Sequence, residues 1–124
     1  MPRIISFALT TAQFRARTKS VTRRVGWEGL RPGALLCGVV KAQGLRKGEK
    51  VERLGLIVVE DVRREPLRRM IDDLEYGRRE CALEGFEGRE PGVFVEDFCR
   101  SHHCSEDEPI TRIEYGYIEG GQQG

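Results

Sequence analysis

Between residues 54 and 62 the chain reads Leu54-Gly55-Leu56-Ile57-Val58-Val59-Glu60-Asp61-Val62, an almost continuous run of branched apolar side chains. Such side chains are stiff at χ1 and fit a pleated surface, so the segment predicts a strand with neighbours on both sides, the centre of a sheet. The rest of the chain has to be arranged around it. Upstream, Ile4 to Leu9 predicts a strand, with Thr10-Thr11 capping a short helix over Ala12 to Arg17. Lys19 to Val25 alternates β-branched and charged residues, the pattern of a short edge strand. Leu30-Arg31-Pro32-Gly33 supplies a type II turn before the apolar strand Ala34 to Val40.

Downstream, Pro66 is placed to open a helix with Leu67, Met70, Ile71 and Leu74 on one face and Gly77 as its end. Two shorter helices follow, one near Arg79 to Leu83 closing at Gly85, the other from Glu90 through Phe98. Alternation over Ile110 to Ile118 predicts a last strand. Strands at both ends with helices in the middle point to an α+β fold: a small β-barrel or strongly curved mixed sheet with short helices packed on one side. At 124 residues the chain is one domain, taken as residues 1–118, with 119–124 a flexible glycine-rich tail. No apolar run reaches the roughly 20 residues a bilayer requires, and the N-terminus lacks a signal-peptide pattern. A cytoplasmic protein with no membrane contact is expected.

The net charge of +1 conceals two unlike halves. Residues 1–59 hold 12 basic against 3 acidic residues, a net of +9, and residues 60–124 hold 9 against 17, a net of −8. Either a basic binding face lies beside an acidic flank, or the halves interleave and pair in the fold. Six of the twelve basic residues fall in one stretch, Arg15, Arg17, Lys19, Arg23, Arg24 and Arg31, near Phe14 and the single tryptophan, Trp27. Arginine forks suit phosphate oxygens and an aromatic plane can stack a base, so RNA or a nucleotide is the partner class this cluster fits. The plainer reading has Trp27 in the core and the arginines answering the acidic half.

Several segments taken together resemble the ASCH domain of the PUA-like superfamily: Arg17-Thr18-Lys19-Ser20-Val21-Thr22-Arg23-Arg24, Leu30-Arg31-Pro32-Gly33, the strand at 55–62, Ala82-Leu83-Glu84-Gly85-Phe86 and Thr111-Arg112-Ile113-Glu114-Tyr115. The resemblance covers nearly the whole chain. It implies a PUA-like β-barrel with a cleft between barrel and helices that binds RNA, a nucleobase or a modified nucleoside. Some small proteins of this kind are amidohydrolases that remove acetyl from N(4)-acetylcytidine using a Lys, a Thr and a Glu. Carried across, those positions are Lys19, Thr22 and Glu84, with Ser20 standing where Thr is common. Arg17, Arg23, Arg24, Trp27 and Arg31 are the candidate ligand-binding residues.

The chemistry sets its own conditions. A threonine hydroxyl needs a base, and a lysine serves only if burial or neighbouring cations depress its pKa. Residues 19 and 22 would face opposite sides of an ideal strand, so a shared site requires a bend or bulge near Val21. Neither a metal nor a cofactor is required. The run Cys99-Arg100-Ser101-His102-His103-Cys104 leaves free thiols, a disulfide or zinc open, with free thiols favoured and the histidines exposed at a helix C-terminus. No glycine-rich phosphate-binding signature is present. Three functions follow: a binding domain for RNA or a modified nucleoside, a metal-independent amidohydrolase acting on an N-acylated cytidine, or a small interaction protein with no ligand.

Overall fold

The computed structural model of the protein describes residues 2–42 and 45–119. Its elements run β1 (Arg3–Ser6), α1 (Thr11–Ala16), β2 (Val21–Arg24), β3 (Leu35–Val39), β4 (Arg53–Pro66), α2 (Arg69–Asp72), α3 (Leu74–Leu83), α4 (Pro91–His102) and β5 (Pro109–Tyr117). The five strands form one sheet in the order β1-β3-β4-β5-β2. Only the β1–β3 pair is parallel. The predicted central strand is central, and Lys19 to Val25 does supply an edge. The sheet curls into a half-barrel whose two edges, β1 and β2, are not paired with each other.

Curvature comes from β4. Fourteen residues long, it pairs with β3 through its first half and with β5 from Ile57 to Pro66, and its register shifts between Val59 and Asp61. The extra residue reverses which side chains face inward. Ile57 and Val59 enter the core inside the curve together with Ile5, Phe7, Phe14, Leu36, Ile113 and Tyr115, and Val62 packs against it. On the other face Arg63 lies beside Arg112 of β5, which lies beside Arg23 of β2. A second core joins Leu67 and Ile110 to helix residues Met70, Tyr76, Cys81, Phe94, Val95 and Phe98.

The helical region departs from expectation. Pro66 is the last residue of β4, opposite Pro109, a sheet end where its missing N–H costs nothing. The helix expected to run from Pro66 to Gly77 is instead two. Asp73 is extended (φ −124°, ψ 94°) and its carboxylate accepts the Tyr76 amide at 3.1 Å, so it ends α2 and caps α3. Leu74 is consequently exposed. Gly77 does not end a helix; it lies inside α3, where an added Cβ would meet the Met70 carbonyl oxygen at 2.1 Å. Thr10 occupies the cap position of α1 without a side-chain bond, while the Thr11 hydroxyl donates to Phe7 O at 2.8 Å. The turn at Arg31–Ala34 closes with Ala34 N–H to Arg31 O at 3.2 Å and Gly33 at φ +92°, as a type II turn demands.

The buried charges show the two halves interleaving. Lys19 and Arg23 from the basic half pair with Glu84, Glu80 and Glu65 from the acidic half. The expected tail at 119–124 lies, from Gly120 on, outside the described residues. No helix among the described residues is long and apolar enough to cross a membrane.

Candidate functional site

The seam between the two unpaired sheet edges opens into a cavity of about 280 Å³. Ser6 and Phe7 at the end of β1 form one side, Thr22, Arg23 and Arg24 of β2 another, and α4 contributes Phe94, Phe98 and His102. Lys19 and Glu84 complete the floor. Two sequence-distant segments, 19–22 and the end of α3, therefore bring the Lys, the Thr and the Glu to one hollow.

Local backbone geometry explains how. The chain after α1 turns at Arg17 (φ +60°), and Ser20 N–H donates to Leu83 O at 2.8 Å, docking this segment on the C-terminus of α3. Gly85 follows at φ +96°, and a Cβ there would touch the Gln13 side chain at 2.9 Å and Lys19 Cβ at 3.4 Å. Only glycine reverses the chain at this spacing. Glu84, at the end of α3, is thus pressed against Lys19: Nζ donates to Glu84 O at 2.9 Å and Oε1 at 2.8 Å. The geometric difficulty for residues 19 and 22 dissolves because β2 begins only at Val21, so Lys19 is not subject to strand alternation. Thr22 shares its face with Arg24, whose Nε donates to Thr22 Oγ1 at 3.0 Å and whose NH2 donates to Ser6 O at 2.6 Å across the seam.

All three candidate catalytic residues are nearly inaccessible, Lys19 at 2%, Thr22 at 3% and Glu84 at 3%. Burial holds the Lys19 ammonium below its ordinary pKa of 10.5, opposed by Glu84 and assisted by Arg24 and Arg23. Burial lowers Arg24 in the same way. Arg23 behaves oppositely: desolvation would lower it, but Glu84 and Glu80 outweigh that and raise it.

The sequence-predicted ligand residues separate. Arg24 lines the cleft and lies 5.1 Å from the Phe7 ring centroid. Arg23 reaches the cleft wall, but its guanidinium is fully buried and binds Glu84 Oε2 at 3.1 Å, Glu80 Oε1 at 2.6 Å and Glu65 Oε2 at 3.1 Å. It anchors Glu84 and has no fork free for a phosphate. Arg17 lies outside the cleft, beside Tyr117 in a second hollow, and pairs with Glu119. Trp27 packs against the inner core under the Arg3 guanidinium, 3.6 Å from its ring centroid, and Arg31 is exposed in the turn; neither lines the cleft.

Sequence reasoning missed the aromatic wall and the buried ion-pair layer. Phe94, Phe98 and His102 fall at four-residue intervals along α4, with ring centroids 6.4 Å and then 4.1 Å apart, and Phe86 joins Phe94 at 6.2 Å. Tyr76, Glu80 and Glu84 keep the same interval along α3. Those two periodicities were legible, but they do not say what faces them. Cys99 and Cys104 are free thiols, as are Cys37 and Cys81. Among the described residues no group of three or more His, Cys, Asp or Glu is arranged to hold a metal.

No family model and no curated protein matches this sequence. In fold, the chain is similar to protein EF3133 from Enterococcus faecalis V583, of the DUF984 family. The superposition has a TM-score of 0.62 at 11% identity and covers 95% of this chain and 80% of the other. At that identity the likeness is one of fold: a mixed five-stranded half-barrel with four helices.

Proposed function

We propose that this half-barrel is an ASCH-type, PUA-like domain that holds a single modified nucleoside, in the cytoplasm, within its seam cleft. The observation supporting this most directly is that Lys19, Thr22, Arg24 and Glu84 line one cavity with aromatic walls. Its 280 Å³ lies just below the roughly 300–1,000 Å³ range of small-molecule pockets. That size suits one nucleoside better than an RNA strand. Of the exposed arginines among the described residues that a strand would need for phosphate contact, Arg17 and Arg31 are elsewhere and Arg89 alone lines the cleft.

A second reading, catalysis, is favoured by Lys19. A neutral amine has two N–H donors and one lone pair. Burial favours that neutral form of Lys19, in which both donors would go to Glu84 and the lone pair would be left for a proton. In this reading Thr22 Oγ attacks the acyl carbon of an N-acylated cytidine while its proton passes to Lys19 Nζ. Arg24 Nε stabilises the developing alkoxide. Collapse breaks the C–N bond, Lys19 returns the proton to the departing amine, and water then hydrolyses the acyl-threonine. Glu84 holds Lys19 in place throughout.

The test is incubation with N(4)-acetylcytidine, following cytidine and acetate, together with calorimetric titration. Saturable binding that is lost in Lys19→Ala supports the nucleoside cleft. Turnover abolished in Thr22→Ala and Lys19→Ala supports the amidohydrolase. Absence of both binding and turnover overturns both and leaves the interaction protein.

A further inference from the structure

His102 is the last residue of α4, and its ring stacks on Phe98 with centroids 4.1 Å apart and planes 22° apart. Its Nδ1 lies 3.0 Å from Phe98 O. A carbonyl oxygen only accepts, so Nδ1 carries the proton in the neutral ring. Nε2 is then an unprotonated acceptor on a ring that lines the cleft. The same cavity is lined by Lys19, whose amine is held by Glu84, by Arg24, held by Thr22 and Ser6, and by Arg89. The carboxylates there are engaged, Glu84 by Lys19 and Arg23, Asp97 by Arg100 at 2.5 Å.

We infer that His102 is a specificity-determining residue whose Nε2 accepts an N–H from a flat heterocycle lying against the Phe98–His102 stack, selecting an amino- or amido-bearing ring over its oxo counterpart. The inference rests on the nucleoside reading of the cleft and adds which edge of the base is read. His102 is exposed, so a carbonyl placed opposite Nε2 sets two acceptors against each other that only water can then satisfy, whereas an exocyclic N–H forms a hydrogen bond directly.

The discriminating probes are cytidine and uridine, which differ at that exocyclic position. The protein has only two histidines, so a ¹⁵N-labelled ring spectrum with His103→Gln for assignment isolates His102. Expected are an Nδ1–H tautomer in the free protein, a shift of Nε2 on adding cytidine, and about fivefold tighter binding of cytidine than uridine. His102→Phe keeps the stack and should bring that ratio close to one. A cytidine preference surviving in His102→Phe overturns the inference. So does a titration in which cytidine moves the Lys19 signal but leaves His102 Nε2 unchanged, an outcome under which the cleft reading survives. If neither nucleoside moves Lys19 or His102, the cleft reading falls and this inference falls with it.

Discussion

Single residues in this protein are constrained by what presses on them. Lys19 is pulled in two directions, burial lowering its pKa and Glu84 raising it, with burial the larger effect. Neutralising Glu84 removes the opposing influence, so the Lys19 amine in Glu84→Gln should titrate at lower pH than in the wild type. The wild-type amine should itself titrate below 10.5. NMR of the labelled lysine side chain reads both, and an unchanged or raised value in the variant would refute this account of the site. Gly77 illustrates the steric kind of constraint. Its added Cβ would meet a backbone oxygen at 2.1 Å and Pro91 side-chain carbons at 2.8 and 2.9 Å, none able to move freely. Gly77→Ala should therefore cost about 1–3 kcal/mol or more. Gly92, with nothing within 4 Å of its added Cβ, is the control. There the same change should leave stability level or raise it by about 0.4–1 kcal/mol. Paired thermal melts decide.

At the scale of elements, α3 is a polar ladder laid across the sheet. Glu80 grips Arg112 through two bonds of 2.6 and 3.0 Å and also binds Arg23, while Glu65 accepts from the Tyr76 hydroxyl at 2.7 Å. A helix that turns carboxylates inward is stable only because a row of arginines crosses the facing strands. Removing one member strands the others without a counter-charge, so Glu80→Ala should cost about 3–5 kcal/mol. The same layer sets an acid limit. Burial would raise Glu65 and Glu80, but Tyr76 and Arg23 for the first, and Arg112 and Arg23 for the second, hold both below the ordinary 4.5. A carboxylate with a depressed folded pKa contributes stability that is complete above its unfolded value and is lost as pH falls through the folded one. Urea midpoints should therefore fall below about pH 4.5 in the wild type, and Glu80→Gln should show a shallower fall.

For the whole molecule, the decisive feature is the incomplete barrel. A closed barrel would have no seam; this sheet leaves β1 and β2 apart and lets α3 and α4 wall the gap. Because Lys19, Arg23 and Arg24 are held by internal bonds and Arg89 is, among the described residues, the one exposed cation lining the cleft, nucleoside binding should change little between about 50 and 200 mM salt. A ligand held through phosphates would lose affinity steeply over the same range. A steep loss would move the reading from nucleoside to polynucleotide.

Element identity was largely legible before any tertiary structure. The β-branched run at 54–62 had to be central, Pro32-Gly33 had to turn, and the first strand was readable from its apolar run and the last from alternation, since these patterns depend on neighbours within a few residues. The break at Asp73 and the interior Gly77 were misread because competing signals, a cap and a glycine, are resolved only by what packs on the helix. The Lys, the Thr and the Glu could be nominated from sequence resemblance, yet Arg17, Trp27 and Arg31 were grouped with them by proximity along the chain, and proximity along the chain is not proximity in space. What the amino-acid order determined was strand, helix and turn, together with a charge imbalance between halves. Only the tertiary structure decided that Lys19 and Arg23 of the basic half are buried against glutamates of the acidic half, and that the seam takes Lys19, Thr22, Arg24 and Glu84 while turning Arg17 away. Burial and long-range contact set charge states and cavity walls, and neither is written in local sequence.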